Sequence, residues 1–177
     1  MQRQPFVSRA SVGRATGLDW VPTFVLRATG DAAMALWDRR LTLDQVEERL
    51  IARTKITREQ IEESLGSLCD RGYLIADDAP GNPEIVVHLT RSGLEEYCHR
   101  FVHGYRRIGP DILKLVCQDV AIDVVGLTNR SGQPELLVEH VLEVAEGHGL
   151  LRLAGTGQYV VVQEVRPQLR RWISGAA

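Results

Sequence analysis

Twice along the chain, the spacing of apolar residues changes from that of a helix to that of a strand, and a glycine stands at each change. In the first half, Leu65 and Leu68 belong to a helical stripe, and Gly72 stands where a left-handed residue would end that helix. Residues 73–76 and 85–89 then have the composition of two short strands, which are predicted to pair as a hairpin. The second half repeats this order: Gly147 or Gly149 ends its helix, and Gly149 stands in the place of Gly72. The recurrence predicts two copies of one supersecondary unit.

Start signals for helices precede the first change. Thr42 with Gln45, and Thr57 with Gln60, have the spacing of a capping box, in which the Gln side chain bonds back to the backbone of the cap. Helices are therefore predicted to begin at these two threonines. An earlier short helix is predicted to begin at Asp31 and to run through Ala32, Met34, Leu36 and Trp37.

One long helix is predicted after the first hairpin, with Thr90 as its cap and Arg107 near its end. Its apolar face includes Tyr97, Phe101 and Tyr105. Because such a helix is long for a small domain, we expect these three aromatic residues to cover the junction of two domains or a two-fold dimer interface. A homodimer is the expected assembly.

The second half is predicted to contain the same kinds of element. Asp111 is predicted to begin its first helix, and residues 128–133 are predicted to form a polar turn. Pro134 suits the first turn of the next helix. The remaining predicted elements are strands at residues 150–154 and 159–162 and a last short helix from Pro167.

Composition excludes several classes of protein. The 177 residues suffice for two small domains. No apolar run approaches the ~18 residues of a membrane-spanning helix, so the chain is predicted to be soluble. Cys69, Cys98 and Cys117 lie far apart, which argues against a disulfide framework and for a reducing, cytoplasmic location. The formal charge of -2 means that nucleic-acid binding would need a local basic surface.

Candidate catalytic and metal sites are weak. His99 and His103 have the i, i+4 spacing that can hold zinc, and Cys98 lies beside them. Cys98 also continues the apolar stripe of Tyr97 and Phe101, so a core role for its side chain is favoured. No residue pattern indicates catalysis, and the chain is predicted to be neither an enzyme nor a protein that needs a metal or other cofactor.

The order of three helices and a two-stranded hairpin resembles the winged helix-turn-helix of the MarR and PadR type of bacterial transcriptional regulator. Residues 57–74 and the Leu-Thr-Arg-Ser-Gly stretch at 89–93 carry the resemblance, which covers about residues 31–107. In that family an L-T-x-x-G stretch ends the wing and begins the next helix; in the second copy, residues 164–168 depart from it.

This resemblance implies an α+β, mainly helical protein of two tandem winged-helix units, each with about three helices and a two-stranded wing. The predicted parts are a flexible N-terminal arm at residues 1–18, a first domain at 19–108 and a second at 109–177. The segment at residues 17–30 fits either a helix or an extended arm.

The resemblance also implies that the third helix, at residues 58–71, reads the major groove of DNA while the wing contacts the backbone. The charge of that helix opposes this role, because phosphates repel carboxylates. The corresponding helix of the second copy is acidic too. The predicted outward residues of the first are Arg58, Glu59, Glu62, Glu63, Gly66, Ser67 and Asp70, and the acidic residues of the second are Glu135, Glu139, Glu143 and Glu146.

The predicted function is that of a DNA-binding transcriptional regulator, which the resemblance favours. The alternative is a tandem winged-helix subunit that binds a partner protein, as in chromosome-condensing complexes, which the acidic third helices favour. If the chain binds double-stranded DNA, we expect the contacts to come mainly from arginines outside the third helix, including those of the N-terminal arm. The candidate residues are Arg39, Arg40, Arg53, Arg58, Ser67 and Arg91, with Arg3, Arg9 and Arg14 on the arm.

Overall fold

The computed structural model describes residues 20–51, 55–77, 85–119, 122–155 and 159–175. The described chain is α+β and mainly helical. It divides between Val102 and His103 into two compact units, here called the N-terminal and C-terminal units. The division falls six residues before the predicted one, which lay between residues 108 and 109. The predicted arm at residues 1–18 lies outside the described residues.

The N-terminal unit packs four helices on a three-stranded antiparallel sheet with the strand order β1-β3-β2. Strand β3 is central, and the hairpin of β2 and β3 confirms the predicted pair of strands. Strand β1 was not predicted. The elements are α1 (Trp20–Leu36), β1 (Arg40–Thr42), α2 (Leu43–Ile51), α3 (Arg58–Asp70), β2 (Leu74–Asp77), β3 (Val86–Leu89) and α4 (Arg91–Phe101).

Helix α1 is the centre of this unit, because α2, α3, α4 and β1 all pack against it. Its sequence is apolar or small on most sides, which suits a helix surrounded by other elements. The apolar stripes of the other helices and one face of the sheet meet it. Fully buried side chains include Leu26, Leu41, Leu68, Leu74, Leu89 and Leu94.

The C-terminal unit repeats the order of elements. An isolated bridge between Asp123 and Val161 occupies the place that β1 has in the N-terminal unit. Gly72 and Gly149 have φ of 70° and 65° and precede β2 and β4, as the repeat predicted. The elements are α5 (Tyr105–Gln118), α6 (Val124–Ser131), α7 (Glu135–Gly147), β4 (Leu151–Ala154), β5 (Val161–Val165) and α8 (Pro167–Gly175).

The prediction of one helix from Thr90 to Arg107 is wrong, because α4 ends at Phe101 and a separate helix, α5, begins at Tyr105. Gly104 has a φ of 75° and caps α5 in a left-handed conformation, which an α-helix cannot continue. Asp111, predicted to begin a helix, lies inside α5. The apolar face of α5 extends from Tyr105 to Val116, so its start was hidden within the same apolar pattern.

Two further boundaries differ from the predictions. Asp31 lies inside α1 and does not begin a helix, and α1 includes the described part of the ambiguous segment. Thr128, predicted to begin a polar turn, lies in α6, whose cap is the Asp123 carboxylate, 2.6 Å from the Gly126 backbone nitrogen. Helix α1 thus begins earlier than predicted, and α6 was not predicted. Among the described residues, no helix is both long enough and apolar enough to cross a membrane.

Candidate nucleic-acid interface

The start of α3 is held by the predicted capping box. The Thr57 hydroxyl accepts a hydrogen bond from the Gln60 backbone at 3.3 Å, and the Gln60 side chain accepts one from the Thr57 backbone at 3.0 Å. The same reciprocal bonds join Thr42 and Gln45 at α2. These bonds fix the start of α3. Its apolar stripe, which includes Leu68, faces the core.

The opposite face of α3 is strongly acidic. Glu59, Glu62, Glu63 and Asp70 are exposed, Ser67 is half-buried, and Gly66 leaves a gap between them. The predicted outward face is therefore confirmed. In the C-terminal unit, the corresponding helix α7 has half-buried Glu135, Glu139 and Glu143, and its exposed Glu146 accepts a hydrogen bond from the Leu153 backbone at 2.8 Å.

Arg58 is the single basic residue of α3, and two carboxylates hold it. Its Nε lies 3.2 Å from Glu62 Oε1 and 3.4 Å from Glu47 Oε1 of α2. The hydrogen bond to Glu62, and then the charge of Glu47, raise the pKa of Arg58 above its usual value. The Glu47 side chain is only 13% exposed, and the Arg58 guanidinium is the cation beside it. Arg58 therefore forms its ion pairs within its own unit.

The predicted contacts Arg39, Arg40 and Arg91 lie together at one end of the sheet. The Leu89 backbone nitrogen donates to the Arg39 carbonyl at 2.8 Å, and Arg40 pairs with His88 across β1 and β3. Arg91 begins α4 two residues after Leu89. Arg40 and Arg91 are exposed, and Arg39 is half-buried. The hairpin loop leaves from the other end of β2 and β3, so these arginines are remote from that loop.

The predicted contacts are distributed over several elements. Arg58 and Ser67 lie on α3, whereas Arg39, Arg40 and Arg91 lie at the end of the sheet away from the hairpin loop. Arg53 and the arm residues Arg3, Arg9 and Arg14 lie outside the described residues, and their DNA contacts stay predictions.

The L-T-x-x-G stretch has a clear structural role. The Thr90 hydroxyl lies 2.7 Å from the Gly72 carbonyl and 3.0 Å from the Tyr73 carbonyl, and it accepts from the Gly93 backbone at 3.0 Å. A Cβ on Gly93 would overlap the Tyr73 carbonyl. The stretch therefore joins the start of α4 closely to the turn that leads into β2.

The three predicted interface aromatics are divided between the two units. Tyr97 is buried, its hydroxyl donates to Asp31 at 2.7 Å, and its ring lies where a Cβ on Gly30 would be. Burial, and then the bond to Asp31, raise the pKa of the Tyr97 phenol. Tyr97 thus stabilises the packing of α4 on α1.

Phe101 and Tyr105 have separate surroundings. Phe101 is half-buried, its ring centre 5.7 Å from that of Tyr97 and 5.6 Å from the Arg27 guanidinium. Tyr105 is buried in the C-terminal unit and stacks on His140, with ring centres 6.3 Å apart. Since the three rings do not share one helix, the continuous face that motivated the interface prediction does not exist. An interface role for any of the three stays a prediction.

Cys98 is a core residue, as its stripe predicted. Its side chain is fully buried, and burial raises the pKa of its thiol, which disfavours the thiolate that a metal would need. The neighbouring His99 lies 3.0 Å from Glu95. In the described ranges, no three His, Cys, Asp or Glu side chains are grouped as metal ligands would be.

One surface feature escaped the sequence analysis. Leu36 and Trp37 were predicted to lie in a short helix, but α1 ends at Leu36 and both side chains are exposed. Trp37 has a φ of 56°, so the chain turns away from the helix at this residue. The succession Trp37-Asp38-Arg39-Arg40 was a signal, because a large aromatic beside basic residues is unusual for a plain turn.

Comparisons with known proteins identify no relative of this chain. No family model, curated protein or solved structure matches the chain. The function is accordingly inferred from the side chains and the order of elements described above.

Proposed function

We propose that this chain is a tandem winged-helix protein that binds a partner protein, and that its α3 does not read DNA bases. The order α1-β1-α2-α3-β2-β3-α4, with a hairpin after the third helix, supports the winged-helix assignment of the N-terminal unit. The repeat of that order in the C-terminal unit supports the tandem arrangement. Tandem winged-helix subunits of chromosome-condensing complexes use this layout to bind partner chains.

The observation that carries the proposal is the charge of the α3 surface. A helix in the major groove lies between two phosphate backbones, and DNA-binding affinity comes from basic groups that release counterions. Four exposed carboxylates on α3 would meet those phosphates within the ~8 Å over which charges act at about 0.15 M salt. Drawing Arg58 to a phosphate would also remove the ion-pair partner of Glu47.

The proposal predicts that the purified full chain does not bind duplex DNA through α3. The measurement is fluorescence anisotropy of a labelled pool of duplexes with a randomised central segment, over a series of salt concentrations. We expect no saturable binding with an affinity better than the ~10⁻⁴ M limit of non-specific complexes. The double variant Glu59→Gln/Glu62→Gln removes repulsion, so any residual binding should tighten in it.

The proposal is contradicted by tight, salt-dependent binding of the wild type that the two Gln substitutions abolish. In that case the glutamates accept hydrogen bonds from bases, as a carboxylate can from cytosine. Circular dichroism of both proteins serves as the control, because both changed side chains are exposed and should leave the fold intact.

A second candidate function, a DNA-binding transcriptional regulator, is favoured by the exposed arginines at the end of the sheet. If DNA binds there, Arg40→Gln/Arg91→Gln should weaken binding and reduce the salt slope by about two, since each phosphate contact contributes about one. The matched control is Arg49→Gln on α2, which should change the slope little. An unchanged slope in the Arg40/Arg91 variant would exclude this surface.

A further inference from the structure

The turn after α1 places a tryptophan where glycine is usual. Of the described residues other than glycine, Trp37 alone has a positive φ, 56°. The Asp38 backbone nitrogen donates to the Ala33 carbonyl at 3.2 Å across this turn, the closing bond of a left-handed helix end. Glycine dominates at such positions because a Cβ is disfavoured there, and a bulky side chain is an outlier. A tryptophan at this position therefore does not stabilise the conformation of the backbone.

The side chain of Trp37 gains little from packing either. It is 63% exposed, and the preceding Leu36 is 49% exposed. Two adjacent large apolar side chains thus face solvent at a turn whose backbone favours glycine. Backbone strain that is not offset by packing within the protein is characteristic of binding sites, where the strained residue contacts another molecule.

Two arginines and one aspartate follow this apolar pair directly, as Asp38, Arg39 and Arg40. Arg40 follows three residues after Trp37, and its backbone nitrogen donates to the Asp38 carboxylate at 2.8 Å, which holds the turn against the start of β1. The hydrogen bond from Leu89 to Arg39 brings the end of β3, and with it Arg91, to the same end of the sheet. The exposed residues Arg40 and Arg91 therefore lie at the same end of the sheet as the turn that carries the exposed Trp37.

We propose that Leu36 and Trp37 are the apolar anchor of a protein-binding surface, and that Arg40 and Arg91 are its basic rim. The partner is an acidic segment of another protein with one large apolar side chain that packs on the indole. Tryptophan and arginine are the residues that most often dominate the energy of protein interfaces. Surfaces for single-stranded nucleic acid stack successive bases on several rings, whereas the neighbour of Trp37 is the aliphatic Leu36. This inference rests on the proposed function and names the surface that performs it.

The experiment selects random 12-residue peptides displayed on phage against the full chain, with Trp37→Gly as the counter-selecting variant. Because glycine suits the left-handed turn, this variant should fold, with a melting temperature equal to or above that of the wild type. We expect the Trp37-dependent peptides to have a net negative charge and a shared Leu, Ile, Phe or Trp. Their affinity should fall at least tenfold in Trp37→Gly and severalfold in Arg40→Gln/Arg91→Gln.

Trp20→Ala is the matched control, because Trp20 is 61% exposed but lies in the first turn of α1 rather than at the left-handed turn. Peptide affinity should not change in it. The inference is overturned if no enriched peptide depends on Trp37, if the enriched peptides are basic, or if an oligothymidylate binds in a Trp37-dependent way and no peptide does.

These results separate the inference from the proposed function. Binding of duplex DNA through α3 would remove the proposed function and leave a Trp37-dependent peptide site standing. Conversely, if neither DNA binding nor Trp37-dependent peptides are found, only the proposal that Leu36 and Trp37 anchor a partner is overturned, and the proposed function stands.

Discussion

Leu68→Ala is expected to lower the free energy of unfolding of the N-terminal unit by about 2–5 kcal/mol. Leu68 has no exposed surface and shares the inward face of α3 with Ile61 and Leu65. Truncation to alanine removes buried methyl groups and leaves a cavity that the neighbouring elements cannot fill without moving. A loss of this size is a large share of the ~5–15 kcal/mol that stabilises a typical domain.

Urea denaturation followed by circular dichroism measures this loss. Ser67→Ala, one residue away on the outward side of α3, is the matched control and should change the free energy of unfolding by less than about 0.5 kcal/mol. Leu65→Ala should behave like Leu68→Ala, because Leu65 is only 4% exposed. Unchanged melting temperatures in both leucine variants would show that α3 does not pack on the face described.

Gly93→Ala is expected to destabilise the same unit by about 1–3 kcal/mol or more, as overpacking does. The added Cβ would overlap the Tyr73 carbonyl oxygen, which is a backbone atom and cannot rotate away. That oxygen also accepts a hydrogen bond from the Thr90 backbone at 3.1 Å. Relief of the overlap therefore requires α4 to move from the turn before β2 and breaks at least one hydrogen bond.

Gly66→Ala is the matched control, with the opposite sign. Gly66 lies inside α3 with open space around its missing side chain, so alanine should raise the free energy of unfolding by about 0.5–1 kcal/mol. Thermal unfolding of the two variants beside the wild type measures both effects. Equal melting temperatures for Gly93→Ala and the wild type would contradict the close approach of α4 to Tyr73.

Much of the candidate site could be predicted because it depends on contacts within one helix. The capping box of Thr57 and Gln60 fixes the start of α3, and burial of its apolar stripe places Glu59 and Glu62 on the outward face. The pairing of Arg58 with Glu47 could not be predicted, since it needs the angle at which α2 meets α3. Without it, Arg58 was counted as a possible DNA contact.

The sequence by itself determined the elements whose signals are local: the two capping boxes, the left-handed Gly72 and Gly149, and the hairpin of β2 and β3. These elements depend on hydrogen bonds between residues close in the chain, or on the alternation of side chains within one strand. Residue type and spacing are therefore sufficient to predict them.

Tertiary structure alone decided the rest. Strand β1 has three residues and exists because β3, far along the chain, offers it a free edge. The spacing of apolar residues continues across Gly104, so it does not show that one helix ends and another begins there. Tyr97 and Tyr105 belong to different units because each packs in a separate core. Trp37 leaves the apolar stripe of α1 because the chain must turn from α1 into β1. Such outcomes depend on which distant surfaces meet, and no spacing along the chain encodes that.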